Sequence, residues 1–271
     1  SDGNPGTEAK PFKTWDYAVG RCTATGTAYA HHDVILLMPG HAETISAAAG
    51  VICDIIGVQH IGLGIGTNRP TITFTATASD IDITVDNQYF ENIIFKNAVD
   101  ALVEPIDIAA SVDGVTFYNC EFNDPTAAKQ TDRWMLTAAT NTEICLINIR
   151  NYGSATAGAV AWVTFVGTGK VDIRGCYSTG DFSAANIEFK TTLSTNLFIT
   201  SNMLDQVNAV GPVIEGNSLT NTGVVAFNTM HAAQDGDAIW INNMGNVYLA
   251  ENYGVNNTTG ETGILEGVAS V

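Results

Sequence analysis

"DGVTFYNCEF" (113–122), "TEICLINIRN" (142–151), "KVDIRGCYS" (170–178), "NLFITSNML" (196–204) and "NVYLAENYG" (246–254) share one frame. An apolar residue, any residue, a second apolar residue and two others lead to Asn, Cys or another apolar residue. Val115 and Phe117 lead to Cys120, Ile144 and Leu146 to Ile149, Val171 and Ile173 to Cys176, Leu197 and Ile199 to Asn202, and Val247 and Leu249 to Asn252. The shorter runs "VILLMPG" (34–40), "IGLGIG" (61–66) and "ENIIFKN" (91–97) extend the series toward the N-terminus. With the second apolar residue as marker, the positions are Leu36, Leu63, Phe95, Phe117, Leu146, Ile173, Ile199 and Leu249. The steps are 27, 32, 22, 29, 27, 26 and 50 residues, and a marker near Ala226 in "GVVAFNTM" would divide the last.

A degenerate repeat of this length means a solenoid, a propeller or an array. Helical repeats need helical periodicity, which is absent, and propeller blades need about 40 residues. A parallel β-helix remains: all-β, about eight coils, each coil supplying two or three short strands that stack about 4.8 Å apart. Inward positions then form ladders of Val, Ile, Leu and Phe, and Asn at the turns hydrogen-bonds along the stack. The chain reads as one domain, with a cap segment over 1–33, coils over 34–254 and a C-terminal cap or tail over 255–271. The one helical pattern lies at the start. Trp15, Ala18, Val19 and Cys22 fall on one helical face, Thr14 is a suitable N-cap, and the helix is expected over about 14–22. An open solenoid end exposes core and unpaired strand edges. Trp15, Ala18 and Val19 are therefore the residues expected to cover it.

Bulk numbers narrow the function. Charged residues make up 14% of the 271-residue chain, well below the usual roughly 25%, and the net charge is −17. Neither nucleic acid nor a membrane is an expected partner, because the eleven basic residues form no cluster in sequence. No stretch approaches the roughly 20 apolar residues of a membrane span. Cys22, Cys53, Cys120, Cys145 and Cys176 lack metal-ligand spacing and read as free, buried thiols, suited to assembly in a reducing cytoplasm. No metal or cofactor is expected.

"DGNPGTEAKPFKTWDYAV" (2–19), "DVILLMPGHAETI" (33–45) and "IGLGIGTNRPTITF" (61–74) resemble the N-terminal cap and first coils of the pectin-lyase-like right-handed parallel β-helix superfamily, closest to the β-helix proteins of tailed-phage virions. The resemblance covers about residues 2–75; beyond it only the style of the repeat matches. It implies a right-handed helix. For function it leaves lyases, hydrolases, epimerases and inert spikes open, because this scaffold carries them all.

Lyases of the fold use Ca²⁺ held by acidic residues with a Lys or Arg base, and hydrolases use paired aspartates. The nearest sequence to the latter is "HAAQDGDAIWINN", in which Asp235 and Asp237 sit two apart with His231 upstream. On a strand they would share a face, and as Asp-Gly-Asp they also read as a turn. Weaker candidates are His41 with Glu43; His31, His32 and Asp33; Asp172, Arg174, Asp181 and Lys190; and, for Ca²⁺ in loops, Asp86, Asp100, Glu104 and Asp107. Trp134, Trp162, Trp240, Tyr152 and Tyr177 are aromatic candidates for contact with sugar. Trp162 and Trp240 alternate with apolar neighbours and are the expected subunit contacts.

The expectation from these readings is a non-enzymatic virion protein, a capsid decoration or short spike. It would be a homotrimer on the virion surface, assembled in the host cytoplasm, with the major capsid protein as partner and a host glycan as a further ligand. The alternatives are a polysaccharide lyase or hydrolase using Asp235 and Asp237, and a glycan-binding module without turnover.

Overall fold

The computed structural model describes residues 1–23, 33–126, 128–156, 158–190, 192–216, 220–233, 240–256 and 262–265. Its strands fall into three parallel sheets, and every third strand in sequence joins the same sheet. The first sheet runs from Val34–Leu37 through Val115–Tyr118 to Asn246–Ala250. The second runs from Ala42–Ile45 to Asn252–Asn256, and the third from Val51–Cys53 to Ile241–Asn242. This is a right-handed parallel β-solenoid of about eight turns. With strands about 4.8 Å apart it is roughly 40 Å long. A last strand, Thr262–Leu265, pairs antiparallel with Asn252–Asn256 and so covers part of the C-terminal edge of the second sheet. Among the described residues no helix is long and apolar enough to cross a membrane.

One interior column of the first sheet runs Ile35, His60, Phe90, Phe117, Leu146, Ile173, Ile199, Val225 and Leu249. Five of the eight expected markers stand in it, and the hidden marker near Ala226 is Val225. The first three markers are corrected. Leu36 is one residue out of register and faces solvent, 53% exposed. Leu63 lies just past the strand Gln59–Gly62, and Phe95 belongs to the second sheet, above Phe122. The steps of 32 and 22 came from these misplacements. In register the coils are 25, 30, 27, 29, 27, 26, 26 and 24 residues long. The slip arose because the early coils carry two adjacent apolar runs, one in each of two sheets, and a histidine fills the marker position at His60.

The bend from first to second sheet shows why the repeat reads as it does. Two residues after each column position from Phe90 onward the backbone turns into the left-handed region, at Asn92, Asn119, Asn148, Gly175, Ser201, Phe227 and Glu251. Asn and Gly tolerate that conformation best. The next residue turns back inside. There Asn202, Asn228 and Asn252 stack: the backbone N–H of Cys176, Asn202 and Asn228 each donates to the next Asn Oδ1, at 2.9, 3.0 and 3.2 Å. Each side-chain N–H₂ also donates to a backbone carbonyl one coil back, of Ile173, Ile199 and Val225. Buried backbone groups that the sharp bend cannot pair are thereby satisfied.

The helix is Trp15–Val19, shorter than the expected 14–22 because Gly20 and the turn that follows end it. Trp15 and Val19 are buried, and Ala18 packs against the same core. The Trp15 N–H donates to both oxygens of the Glu43 carboxylate, at 3.1 and 2.9 Å. Inside, Trp15 Nε1–H donates to His60 Nδ1 at 2.9 Å, His60 Nε2–H donates to Gln88 Oε1 at 3.1 Å, and the Gln88 amide donates to the carbonyls of Ile55 and Asp86. Every polar side-chain atom in this buried chain is therefore used. Burial holds His60 down to about 4, so it is neutral.

Candidate functional site

The third sheet presents a titrating wall. Its inward column is Val51, Ile81, Ile106, Met135, Val163, Ile187, Ile214 and Ile241. One residue further along each strand the side chain faces outward, giving Ile52, Asp82, Asp107, Leu136, Thr164, Glu188, Glu215 and Asn242. Parallel in-register stacking sets Asp82 and Asp107 on adjacent strands, about 4.8 Å apart along the axis. Asp80 lies two residues before Asp82 and faces the same way. Partial burial pushes the Asp80 carboxyl up to about 6, the neighbouring charges of Asp82 and Asp107 add to this, and Asp80 hydrogen-bonds to Asp82. Burial also raises Asp107, helped by Asp82.

Arg133 ties the rest of the wall together. Its Nε donates to Thr164 Oγ1 at 3.0 Å, and Thr164 Oγ1–H donates to Glu188 Oε2 at 2.8 Å. The guanidinium lies 3.6 Å from both the Glu104 and Glu188 carboxylates. Burial raises Glu104 against the pull of Arg133. The wall thus holds a carboxyl, Asp80, pushed up to about 6, hydrogen-bonded to Asp82 and close to Asp107. That grouping suits general acid–base work on a glycosidic bond. It suits elimination less well, since the base it would need, Arg133, is engaged by Glu104 and Glu188.

Of the sequence candidates, Glu104 and Asp107 lie on this wall, as wall carboxylates rather than loop ligands. Asp86 instead accepts the Asp113 N–H, and Asp100 sits in a bend of the next coil. Among the described residues no three His, Cys, Asp or Glu side chains are grouped to hold a metal. Asp235, Asp237, His31 and His32 lie outside the described residues. His41 and Glu43 do meet, at 3.0 Å, but Glu43 caps the helix. Asp172 and Arg174 pair at 3.2 Å on the first sheet, whereas Asp181 follows the second sheet and Lys190 ends the third, so the four form no single patch. The five cysteines are free, and burial pushes the thiols up, Cys120 and Cys176 to about 12.

The tryptophan expectation is corrected. Trp162 is fully buried and Trp134 nearly so, because both turn into the wide interior behind the third sheet, and neither reaches the outer wall. Trp240 is half-buried against the core at the last coil, with Nε1 3.5 Å from the Val255 carbonyl. The exposed aromatics are instead tyrosines and phenylalanines, among them Phe198, Phe227, Tyr248 and Tyr152, the last with its ring centroid 5.8 Å from that of the half-buried Tyr177 on the second sheet. The pair Asp80 and Asp82 was missed, although "SDIDI" (79–83) carries the same i, i+2 carboxylate signal sought at 235–237. Its alignment with "EPIDI" (104–108) is visible only once the coils are in register.

No protein-family model matches this chain, and no curated protein matches it in sequence. Among solved structures it is similar to a rhamnogalacturonan lyase, with a TM-score of 0.65 and 14% identity over 96% of this chain and 73% of that one. At that identity the likeness shows the fold alone, a parallel β-helix.

Proposed function

We propose that the chain is a polysaccharide-cleaving β-helix that acts on the glycosidic bond at its third-sheet wall. The observation that carries this is the Asp80–Asp82–Asp107 group, in which one carboxyl holds its proton to about 6 beside two others. Asp80 is the acid that protonates the leaving oxygen. Asp82 or Asp107 is the base or nucleophile, and Arg133 with Thr164 and Glu188 fixes the floor beside them. The lyase fold of the structural neighbour supports a glycan substrate, while the carboxylate chemistry favours hydrolysis over elimination. The test is incubation with a panel of acidic and neutral polysaccharides, scoring reducing ends and unsaturated sugar absorbance separately. Reducing ends without unsaturation are expected, lost by about 100-fold or more in Asp80→Asn. Unsaturated product unaffected by Asp80→Asn would place the chemistry elsewhere and make the enzyme a lyase.

A second reading, a homotrimeric virion protein, draws support from the first sheet. Its outer face carries Val34, Leu36, Phe198 and Tyr248 at 51, 53, 44 and 67% exposure, a surface suited to subunit contact. No cleavage of any glycan, together with a trimer mass lowered by Leu36→Asp, would favour it.

A further inference from the structure

We infer that the cleft between the N-terminal segment and the first strand takes the tail 266–271 of a second copy of this chain, added as one more strand to the first sheet. The N-terminal segment treats the three strand edges at its end of the solenoid unequally. At the third sheet the Asp16 carboxylate accepts the Ile52 N–H at 3.2 Å. At the second, the Glu43 carboxylate is tied to the first N–H of the helix, that of Trp15. The edge of the first sheet is open. Its strand Val34–Leu37 pairs with Gln59–Gly62 and with no other strand. The bonds between them come from alternate residues: the Asp33 carbonyl accepts the Gln59 N–H at 2.9 Å and the Leu37 carbonyl the Leu63 N–H at 2.8 Å. In a parallel ladder Ile35 falls in the same set, so the N–H and C=O groups of Val34 and Leu36 point the other way. Among the described residues nothing pairs with them.

These groups open into a cleft of about 730 Å³, in which Phe12, Ala18, Met38 and Leu63 join Val34 and Leu36 as apolar lining. Its charges nearly cancel: Glu8 and Asp33 stand against Arg21, and His41 is paired with Glu43. An unpaired edge beside an apolar, near-neutral cleft suits an extended, uncharged segment. The backbone supplies the hydrogen bonds and alternate side chains fill the cleft.

The chain carries such a segment. Residues 266–271 read EGVASV, uncharged after the first. They follow Thr262–Leu265, at the opposite end of the solenoid. Fully extended, six residues reach about 20 Å against a solenoid roughly 40 Å long, so they do not reach the cleft of their own chain. When a second copy stacks head to tail, tail and cleft meet. The contact is heterologous: each chain offers a tail at one end and a cleft at the other, so it repeats from copy to copy. It uses neither the outer walls nor the third-sheet carboxylates, and stands whether or not that wall cleaves a glycan.

The test is sedimentation velocity of the full chain over a range of concentrations. The expected result is a mass that rises with concentration and is brought down by an excess of a synthetic peptide of residues 262–271. Leu36→Pro removes one outward N–H and leaves the ladder to Gln59–Gly62 in place. Val268→Asp puts a charge into the tail. Each is expected to weaken assembly about tenfold or more. Mixed in equal amounts, the two variants keep one sound tail and one sound edge, so they should form pairs and nothing larger. Val34→Pro repeats the edge change, should Leu36→Pro fold poorly. Phe198→Asp, on the outer face of the first sheet, should leave assembly intact. A single-chain mass at every concentration, assembly unchanged by the peptide or by the edge and tail variants, no pairing in the mixture, or assembly lost in Phe198→Asp would each overturn the inference.

Discussion

Acid should loosen the N-terminal cap through His60. In the native chain Nδ1 accepts from Trp15 and Nε2–H donates to Gln88, so the ring has no place for a second proton. Protonation would set the Nδ1–H against the Trp15 Nε1–H, with only Cys53 Sγ, 3.9 Å from Nε2, nearby. The native value is about 4, against about 6.5 in the unfolded chain. Because the native value is the lower one, the contribution is fully present above about 6.5 and lost as pH falls toward 4. Between about pH 7 and pH 4.5 the unfolded chain takes up nearly one proton and the native chain little, a loss of roughly 2–3 kcal/mol. Gln in place of His60 can accept from Trp15 and donate to Gln88 without titrating. The assay is urea unfolding of the parent and His60→Gln across that range. Asp80 and Asp124 shift stability the opposite way in both proteins, so the difference between the two curves is the readout. It should move by that amount in favour of the variant on acidification. A flat difference, or one of opposite sign, would refute the buried neutral relay.

Asp124, buried with its carboxylate accepting from Thr131 Oγ1–H at 2.6 Å and Asn97 Nδ2 at 3.2 Å, is raised by burial to about 6. Its contribution is therefore present below about 4 and lost as pH rises through about 6, so Asp124→Asn should remove about 2–3 kcal/mol of pH dependence from unfolding curves. Asn228→Ala strips a donor from the Ile199 carbonyl and an acceptor from the Asn202 N–H. It should cost about 2–4 kcal/mol in chemical denaturation, and a neutral result would mean the Asn stack is ornamental. Trp15→Ala should cost about 3–5 kcal/mol and expose the first coil, seen as a lower unfolding midpoint and aggregation in light scattering.

Much of this architecture was legible from the chain alone. Phe117, Leu146, Ile173, Ile199 and Leu249 could be aligned by eye because the bend after them demands a left-handed residue and then an inward side chain, here Cys120, Ile149, Cys176, Asn202 and Asn252. That local steric requirement repeats in the sequence whatever the fold does elsewhere. The cap was legible for a similar reason: one amphipathic turn with Trp15 and Val19 has only one use at the end of a solenoid. What only the tertiary structure decided was which residues from different coils meet. A strand's period of two fixes the alternation of faces but not which parity points inward. One residue of slip therefore misplaced Leu36, and Trp162, one residue before the inward Val163, is buried as well. The walls are columns of residues about 24 to 30 positions apart. Asp82 over Asp107, Arg150 beside Tyr177 and His60 against Phe90 exist because parallel stacking brings successive coils within about 5 Å, a juxtaposition that no local pattern encodes.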